Sequence, residues 1–169
     1  MWFTFVTARL FSSLSFQPRL TATLLSSCSV ANSLIRRVGL SPTFQSASLA
    51  QHPDASVVCG RQRFLGDQED ILLNPIVVIE VLSDSTEAYD RGKKFEHYRQ
   101  IPTCREYLLV SQKEPRIEQF IRQPNGEWTL KEAAGLNAEI KLPSLGSVLA
   151  LAEVFAKVQF TPGRLRTRT

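Results

Sequence analysis

Glu80 is the one acid in the otherwise apolar run Ile76–Leu82. A carboxylate buried there charged and unpaired would cost several kcal/mol, so something must compensate it. A metal ion, a cationic partner or exposure at the end of the strand would each do so. Asp54 follows Pro53 and heads the preceding apolar run, Ala55–Cys59. Acids at the ends of adjacent strands bring carboxylates together, the way Mg²⁺ is held by one or two carboxylates with substrate phosphate and water. Taken singly, Asp54 also serves as an ordinary strand initiator after proline. Lys94 comes next in the chain, within Asp90-x-x-x-Lys94-x-x-x-Tyr98, whose spacing puts all three on one helix face. A strand-turn-helix unit can fold this lysine back over the carboxyl end of the Glu80 strand. The same spacing equally describes an ordinary Asp90–Lys94 helical ion pair with Tyr98 in the core.

Other chemistry is poorly supported. Lys93 falls on a different helix face, toward solvent, and His52 and His97 have no partner at metal-ligand spacing. Cys59 and Cys104 lack a histidine that would activate a thiol. There is no Gly-rich phosphate loop, GxSxG elbow or HExxH.

The elements that must position these residues follow from apolar period and turn chemistry. Ala55–Cys59 reads as a strand ending at Gly60, and Gly66–Asp70 as a polar loop. In Ile76–Leu82, Ile76 and Val78 share one face while Val77, Ile79 and Val81 share the other, which predicts a central strand covered on both sides. Ser83–Thr86 offers capping side chains to a helix over Glu87–Gln100, which Gly92 weakens and Pro102 ends. Glu106–Ser111, Arg116–Arg122 and Glu127–Ala133 read as three strands separated by Lys113-Glu114-Pro115 and Pro124-Asn125-Gly126. Leu149–Val158 reads as a final amphipathic helix. The order predicts a mixed α/β sheet protein.

Charge divides the chain unevenly. Of 20 Lys+Arg and 16 Asp+Glu, residues 1–53 hold four arginines and no acid. Residues 54–160 carry three more acids than bases, and Arg164, Arg166 and Arg168 follow. The net charge of +4 therefore comes from the two ends and is no nucleic-acid footprint. The Ser/Thr-rich, acid-free start resembles an organellar transit peptide in composition, or else an atypical amino end with no address. It shows no sustained period, with at most a weak helix around Leu20–Leu40. Cys28, Cys59 and Cys104 form no CxxC pair, which favours a reducing, cytoplasmic setting over a disulfide framework. The longest uncharged run, Leu20–Ile35, is too short and polar for a membrane span.

Several motifs carry a family likeness. His52-Pro-Asp-Ala-Ser-Val-Val-Cys59, Asn74-Pro-Ile-Val-Val-Ile-Glu-Val-Leu-Ser83, Ser85-Thr-Glu-Ala-Tyr-Asp-Arg-Gly-Lys-Lys-Phe-Glu-His-Tyr98 and Arg105-Glu-Tyr-Leu-Leu-Val-Ser-Gln112 occur in this order. With Arg122-Gln-Pro-Asn-Gly-Glu-Trp128 and Leu142-Pro-Ser-Leu145, they resemble a bacterial family of proposed restriction endonucleases, abundant in cyanobacteria and formerly a domain of unknown function. That family belongs to the PD-(D/E)XK nuclease superfamily, and the likeness runs from about His52 to Phe160. It implies a restriction-endonuclease-like α/β fold, a mixed sheet flanked by helices, over residues 51–160. Residues 1–50 would then be a poorly specified leader in place of the family's first helix and strands, leaving the fold incomplete there, and 161–169 a basic tail.

The resemblance further implies Mg²⁺ (or Mn²⁺) held by Asp54 and Glu80, with Lys94 orienting or activating water and offsetting charge on the phosphate. The superfamily lysine usually stands two residues after the second acid, where this chain has Leu82, so Lys94 would be its displaced counterpart. The implied activity is metal-dependent hydrolysis of nucleic-acid phosphodiesters, DNA by preference. A homodimer is one arrangement left open, and a membrane partner is not expected. Two alternatives stand beside this reading. One is an inactive nucleic-acid-binding or mobile-element-associated module on the same fold, and the other a shortened, non-functional product.

Overall fold

The computed structural model describes residues 28–31, 37–39, 51–66 and 71–160. Most of the expected leader, most of the Gly66–Asp70 loop and the basic tail lie outside the described residues. The strands are β1 (Cys28–Ala31), β2 (Arg37–Val38), β3 (Ala55–Cys59), β4 (Ile71–Leu72) and β5 (Val77–Val81), then β6 (Glu106–Val110), β7 (Arg116–Arg122), β8 (Trp128–Ala134), β9 (Glu139–Leu142) and β10 (Ser147–Ala150). Six of them form a sheet in the order β1-β3-β5-β6-β7-β8. All its pairings are antiparallel except β5–β6, which is parallel and therefore needs a crossover. The segment between Leu82 and Arg105 supplies it.

Burial follows the expected alternation except at Ile76, just before β5, which packs with Val77, Ile79 and Val81 rather than on the face of Val78. Val77, Ile79 and Val81 join one core with Leu108, Val110 and Ile117, covered by Leu142, Leu149, Leu151 and Phe155. Val78 and Leu82 join the opposite core with Leu109, Tyr107, Tyr98 and Ile101. β5 and β6 are buried at every position. Each buried Val, Leu or Ile contributes about 1.5–3 kcal/mol, so these two strands anchor the molecule. Glu80 is on the second face, beneath the crossover helix.

That helix is not uniform. α1 (Glu87–Tyr89) passes into a π-helical stretch, Asp90–Lys94, and then α2 (Phe95–Tyr98). The interruption expected at Gly92 is thus a widened turn around that residue rather than a break. The capping expected from Ser83–Thr86 takes another form, since no side chain bonds the first free amides. The Ser83 carbonyl accepts from the Thr86 and Glu87 amides, and the Thr86 hydroxyl donates to Asp90 at 2.7 Å instead.

Three expectations are corrected. The helix expected over Leu149–Val158 is shorter: Ser147–Ala150 is strand β10, paired antiparallel with β9, and only Leu151–Val154 forms α3. A single turn at Pro143–Leu145, closed by Gly146 at φ 60°, sends the chain back alongside β9, so pairing outweighs the helical period at Leu149. A weak helix over Leu20–Leu40 is not found where that segment is described. Cys28–Ala31 pairs antiparallel with β3, and Arg37–Val38 pairs parallel with β4, so preformed strands impose extended backbone on a stretch without strong local preference. The cysteine pattern suggested no bridge, yet Cys59 is disulfide-bonded, and the β1–β3 register sets it opposite Cys28. Strand β1 creates a proximity that linear spacing does not reveal, while Cys104 is a buried free thiol. Among the described residues, no helix is long and apolar enough to cross a membrane.

Candidate active site

Asp54, Glu80 and Lys94 come together at the end of the sheet where β5 closes. Ala55 pairs with Ile79, so antiparallel register brings Asp54 alongside Glu80. β3 ends its ladder there, and Asp54 Oδ2 accepts the next amide, Val81 N–H, at 2.7 Å. Glu80 is 1% exposed. Its Oε1 accepts from the Tyr98 hydroxyl at 2.8 Å, and its Oε2 is 2.9 Å from Lys94 Nζ.

The helix presents more than the lysine. Lys94 Nζ also lies 3.0 Å from Asp90 Oδ1, an ion-pair contact without hydrogen-bond alignment, and 3.5 Å from the carbonyl of His52. Asp90 is itself buried, held by the Thr86 hydroxyl through Oδ2 and by Tyr107 O–H through its backbone carbonyl. The Asp90–Lys94 spacing that could have been a surface pair is thus part of a buried cluster. Lys93 is exposed and pairs with Glu96 at 3.4 Å, as its face predicted.

Gln51 is a residue that sequence reasoning did not single out. Its side chain accepts from Tyr89 O–H at 3.1 Å and bonds His97 Nδ1 at 2.9 Å, one contact on either side of Lys94 along the helix. Its backbone pairs with Val38 in both directions. The segment that leads to Asp54 is therefore clamped against the helix that carries Lys94. No signal in the sequence alone marks a glutamine for this task.

Electrostatics follows from burial. Desolvation pushes the Glu80 carboxyl up to about 8, with Asp54 adding to the rise and Lys94 and Tyr98 opposing it. Burial also raises Asp54, partly offset by the Val81 amide and Lys94. Burial alone would lower Lys94, but Glu80 and Asp90 outweigh it and the net shift is upward. Lys94 therefore keeps its proton throughout the range in which Glu80 titrates, which suits it to offset negative charge rather than to act as a base. Burial and the Glu80 charge raise the Tyr98 hydroxyl far above its ordinary range, so it stays a donor.

Tyr98→Phe tests this last contact. Losing a hydrogen bond to a buried carboxylate should destabilise the protein by about 1–3 kcal/mol in urea denaturation. It should also move the Glu80 titration upward, observable by NMR of the carboxyl carbon. An unmoved titration would mean that Tyr98 does not donate to Glu80.

Two of these side chains have the donor chemistry of a hard-cation site, although both Glu80 oxygens are engaged by Tyr98 and Lys94. Asp54 and Glu80 supply carboxylate oxygens from adjacent strands, with only one Asp54 oxygen committed to an amide. Mg²⁺ is commonly held by one or two carboxylates, with water and substrate phosphate completing its shell. Among the described residues there is no cluster of three or more His, Cys, Asp or Glu able to form an all-protein cage.

A family model described as "Uma2: Putative restriction endonuclease" matches residues 13–152, and so reaches well before the motifs that begin at His52. The chain is 37% identical over 90 residues to the "Uncharacterized protein sll1609" of Synechocystis sp., covering 53% of this chain and 51% of that one. It is 34% identical over 108 residues to the "Uncharacterized protein slr1290" of the same organism, covering 64% of this chain and 55% of that one. The chain thus spans about half the length of these curated relatives. A crystal structure of "a putative nuclease belonging to DUF820" from Anabaena variabilis superposes with a TM-score of 0.55 at 15% identity. The superposition covers 86% of this chain and 80% of that one and supports the restriction-endonuclease-like fold.

Proposed function

Because this chain belongs to the Uma2 family of restriction-endonuclease-like proteins, we propose that it hydrolyses phosphodiester bonds of nucleic acid, DNA by preference, with a divalent cation. The observation that carries the reading is the convergence of Asp54, Glu80 and Lys94 at one sheet end, on a fold shared with the DUF820 protein of Anabaena variabilis. Asp54 and Glu80 would hold Mg²⁺ or Mn²⁺, which supplies Lewis-acid stabilisation of the phosphate and a more acidic water.

The chain's own residues do the rest. Asp54 is fixed by the Val81 amide, so its free oxygen has a defined direction. Tyr98 holds one oxygen of Glu80, and Lys94 holds the other. The Lys94 ammonium lies where negative charge would build on a phosphate drawn to the carboxylates, and it offsets that charge without giving up its proton.

The test is cleavage of supercoiled and linear DNA by the purified full chain, with Mg²⁺ or Mn²⁺ and with EDTA. Cleavage should require the divalent ion and fall more than about 100-fold in Asp54→Asn, since even outer-shell changes at metal sites cost 10–100-fold. Cleavage that survives Asp54→Asn at the original rate would overturn the assignment. DNA binding without cleavage under either ion would move the protein to the inactive-module reading.

A further inference from the structure

A cavity of about 550 Å³ opens at the other end of the sheet, lined by Ile76, Thr103, Arg105, Glu106, Ile121, Arg122, Pro143 and Ser144. Ile76 and Arg105 immediately precede β5 and β6, whereas Glu80 is near the close of β5. Four residues of strand, roughly 13 Å, separate Ile76 from Glu80. The cavity is therefore distinct from the Asp54–Glu80–Lys94 cluster.

Three of its lining residues carry a donor that the protein does not use. Thr103 Oγ1, Ser144 Oγ and Arg122 Nε are buried without a hydrogen-bond partner in the protein. Arg122 is held in place, with its terminal nitrogens donating to the carbonyls of Arg99 and Pro102 and its guanidinium 4.9 Å over the Trp128 ring. Arg105 is exposed, and among the described residues no carboxylate pairs with it. Glu106 is the single acid of the lining, and both its oxygens are engaged. One accepts from the Gln119 amide, and the other from Ser144 N–H at 2.7 Å. Arg105 and Arg122, the latter with Nε still unpartnered, thus share the lining with one carboxylate whose bonding is already spent. Burial pulls Arg122 below its ordinary range, and the neighbouring Arg105 pulls the same way.

We propose that this cavity binds a phosphate oxyanion carried on a nucleotide-sized ligand. One guanidinium fork satisfies the two oxygens of a carboxylate, whereas two guanidiniums and two hydroxyls around one space suit a group with three free oxygens. The volume falls within the usual range for small-molecule sites. The phosphate can come from a free nucleotide or from the backbone of a nucleic acid. The inference does not depend on the nuclease reading.

Calorimetric titration of the full chain in EDTA tests it, with inorganic phosphate, adenosine monophosphate, acetate and a short oligonucleotide as probes. Saturable binding of phosphate and the mononucleotide is expected, weakened about tenfold or more in Arg105→Ala and more modestly in Ser144→Ala. Arg105 is exposed, and Ser144→Ala keeps the amide that holds Glu106, so both variants should fold, as a urea transition would verify. Glu80→Gln should bind as the native chain does. Binding of the oligonucleotide alone, with the same Arg105→Ala loss, would support the site and assign the phosphate to a nucleic-acid backbone. No saturable binding, acetate binding as well as phosphate, or a loss in Glu80→Gln with none in Arg105→Ala would overturn the proposal.

Discussion

Lys94→Met is expected to destabilise the fold by about 3–5 kcal/mol at pH 9, and by clearly less at pH 6. Lys94 lies within ion-pair distance of both Glu80 and Asp90, and the lysine side chain is only 15% exposed. Methionine keeps most of the apolar stem, so the loss is chiefly that of the cation. At pH 9 the variant must either bury the Glu80 and Asp90 carboxylates without a cation or hold the Glu80 proton against the solvent pH, and both are costly. At pH 6 Glu80 carries a proton, because burial raises it to about 8 even with Lys94 present. Without Lys94 that proton is held more firmly still. Urea denaturation at the two pH values measures the difference. Equal losses at both would show that Lys94 stabilises by packing alone.

Glu80→Gln should have the largest effect on activity and an opposite effect on pH dependence. The amide keeps an acceptor for Tyr98 but cannot carry the charge that a divalent cation requires. Cleavage should fall more than about 100-fold. In the native chain, activity at limiting Mg²⁺ should rise with pH up to about 8, as Glu80 loses its proton. Stability runs the other way. The folded state holds the Glu80 proton up to about 8, while the unfolded chain releases it near 4.5. That contribution is fully present below the lower value and is lost as pH rises through the higher one. The metal-free protein should therefore lose stability between pH 5 and pH 9, and Glu80→Gln should flatten that decline. A thermal-unfolding series across this range, parallel in both proteins, would remove Glu80 from the account.

Much of this site is legible in the sequence because burial imposes readable patterns. An acid amid valines and isoleucines announces that something must compensate Glu80, and the Asp90, Lys94, Tyr98 spacing announces a shared helix face. What remained open was whether that face met solvent or the strand. Only the crossover between β5 and β6, which folds the helix over Val78 and Glu80, decides it. Gln51 gave no signal, since its role rests on one side chain spanning two helical residues.

The fold was readable where period and turns agree, as in β3, β5, β6 and β7. It was less so in β9 and β10, four residues each, where Ile140 and Leu142 alternate with exposed Glu139 and Lys141 over too short a span to outweigh a helical reading of Leu149–Val158. Strand β1 was hidden for a different reason. Its extended form depends on β3 beside it rather than on its own residues.

The single Asp54–Val81 bond has a consequence for the order in which the molecule folds. Glu80, Lys94 and Tyr98 belong to one strand-helix unit, and the Tyr98–Glu80 contact closes a loop of 18 residues. Asp54 reaches Val81 across 27, and only after β3 has aligned with β5. Closing the longer loop costs more chain entropy, and the pairing that rewards it is non-local. The lysine-bearing half can therefore condense early as a local nucleus, whereas the acid pair exists only once the amino-terminal strand has docked. Divalent-ion chemistry at this site would thus be confined to chains whose folding has run to completion.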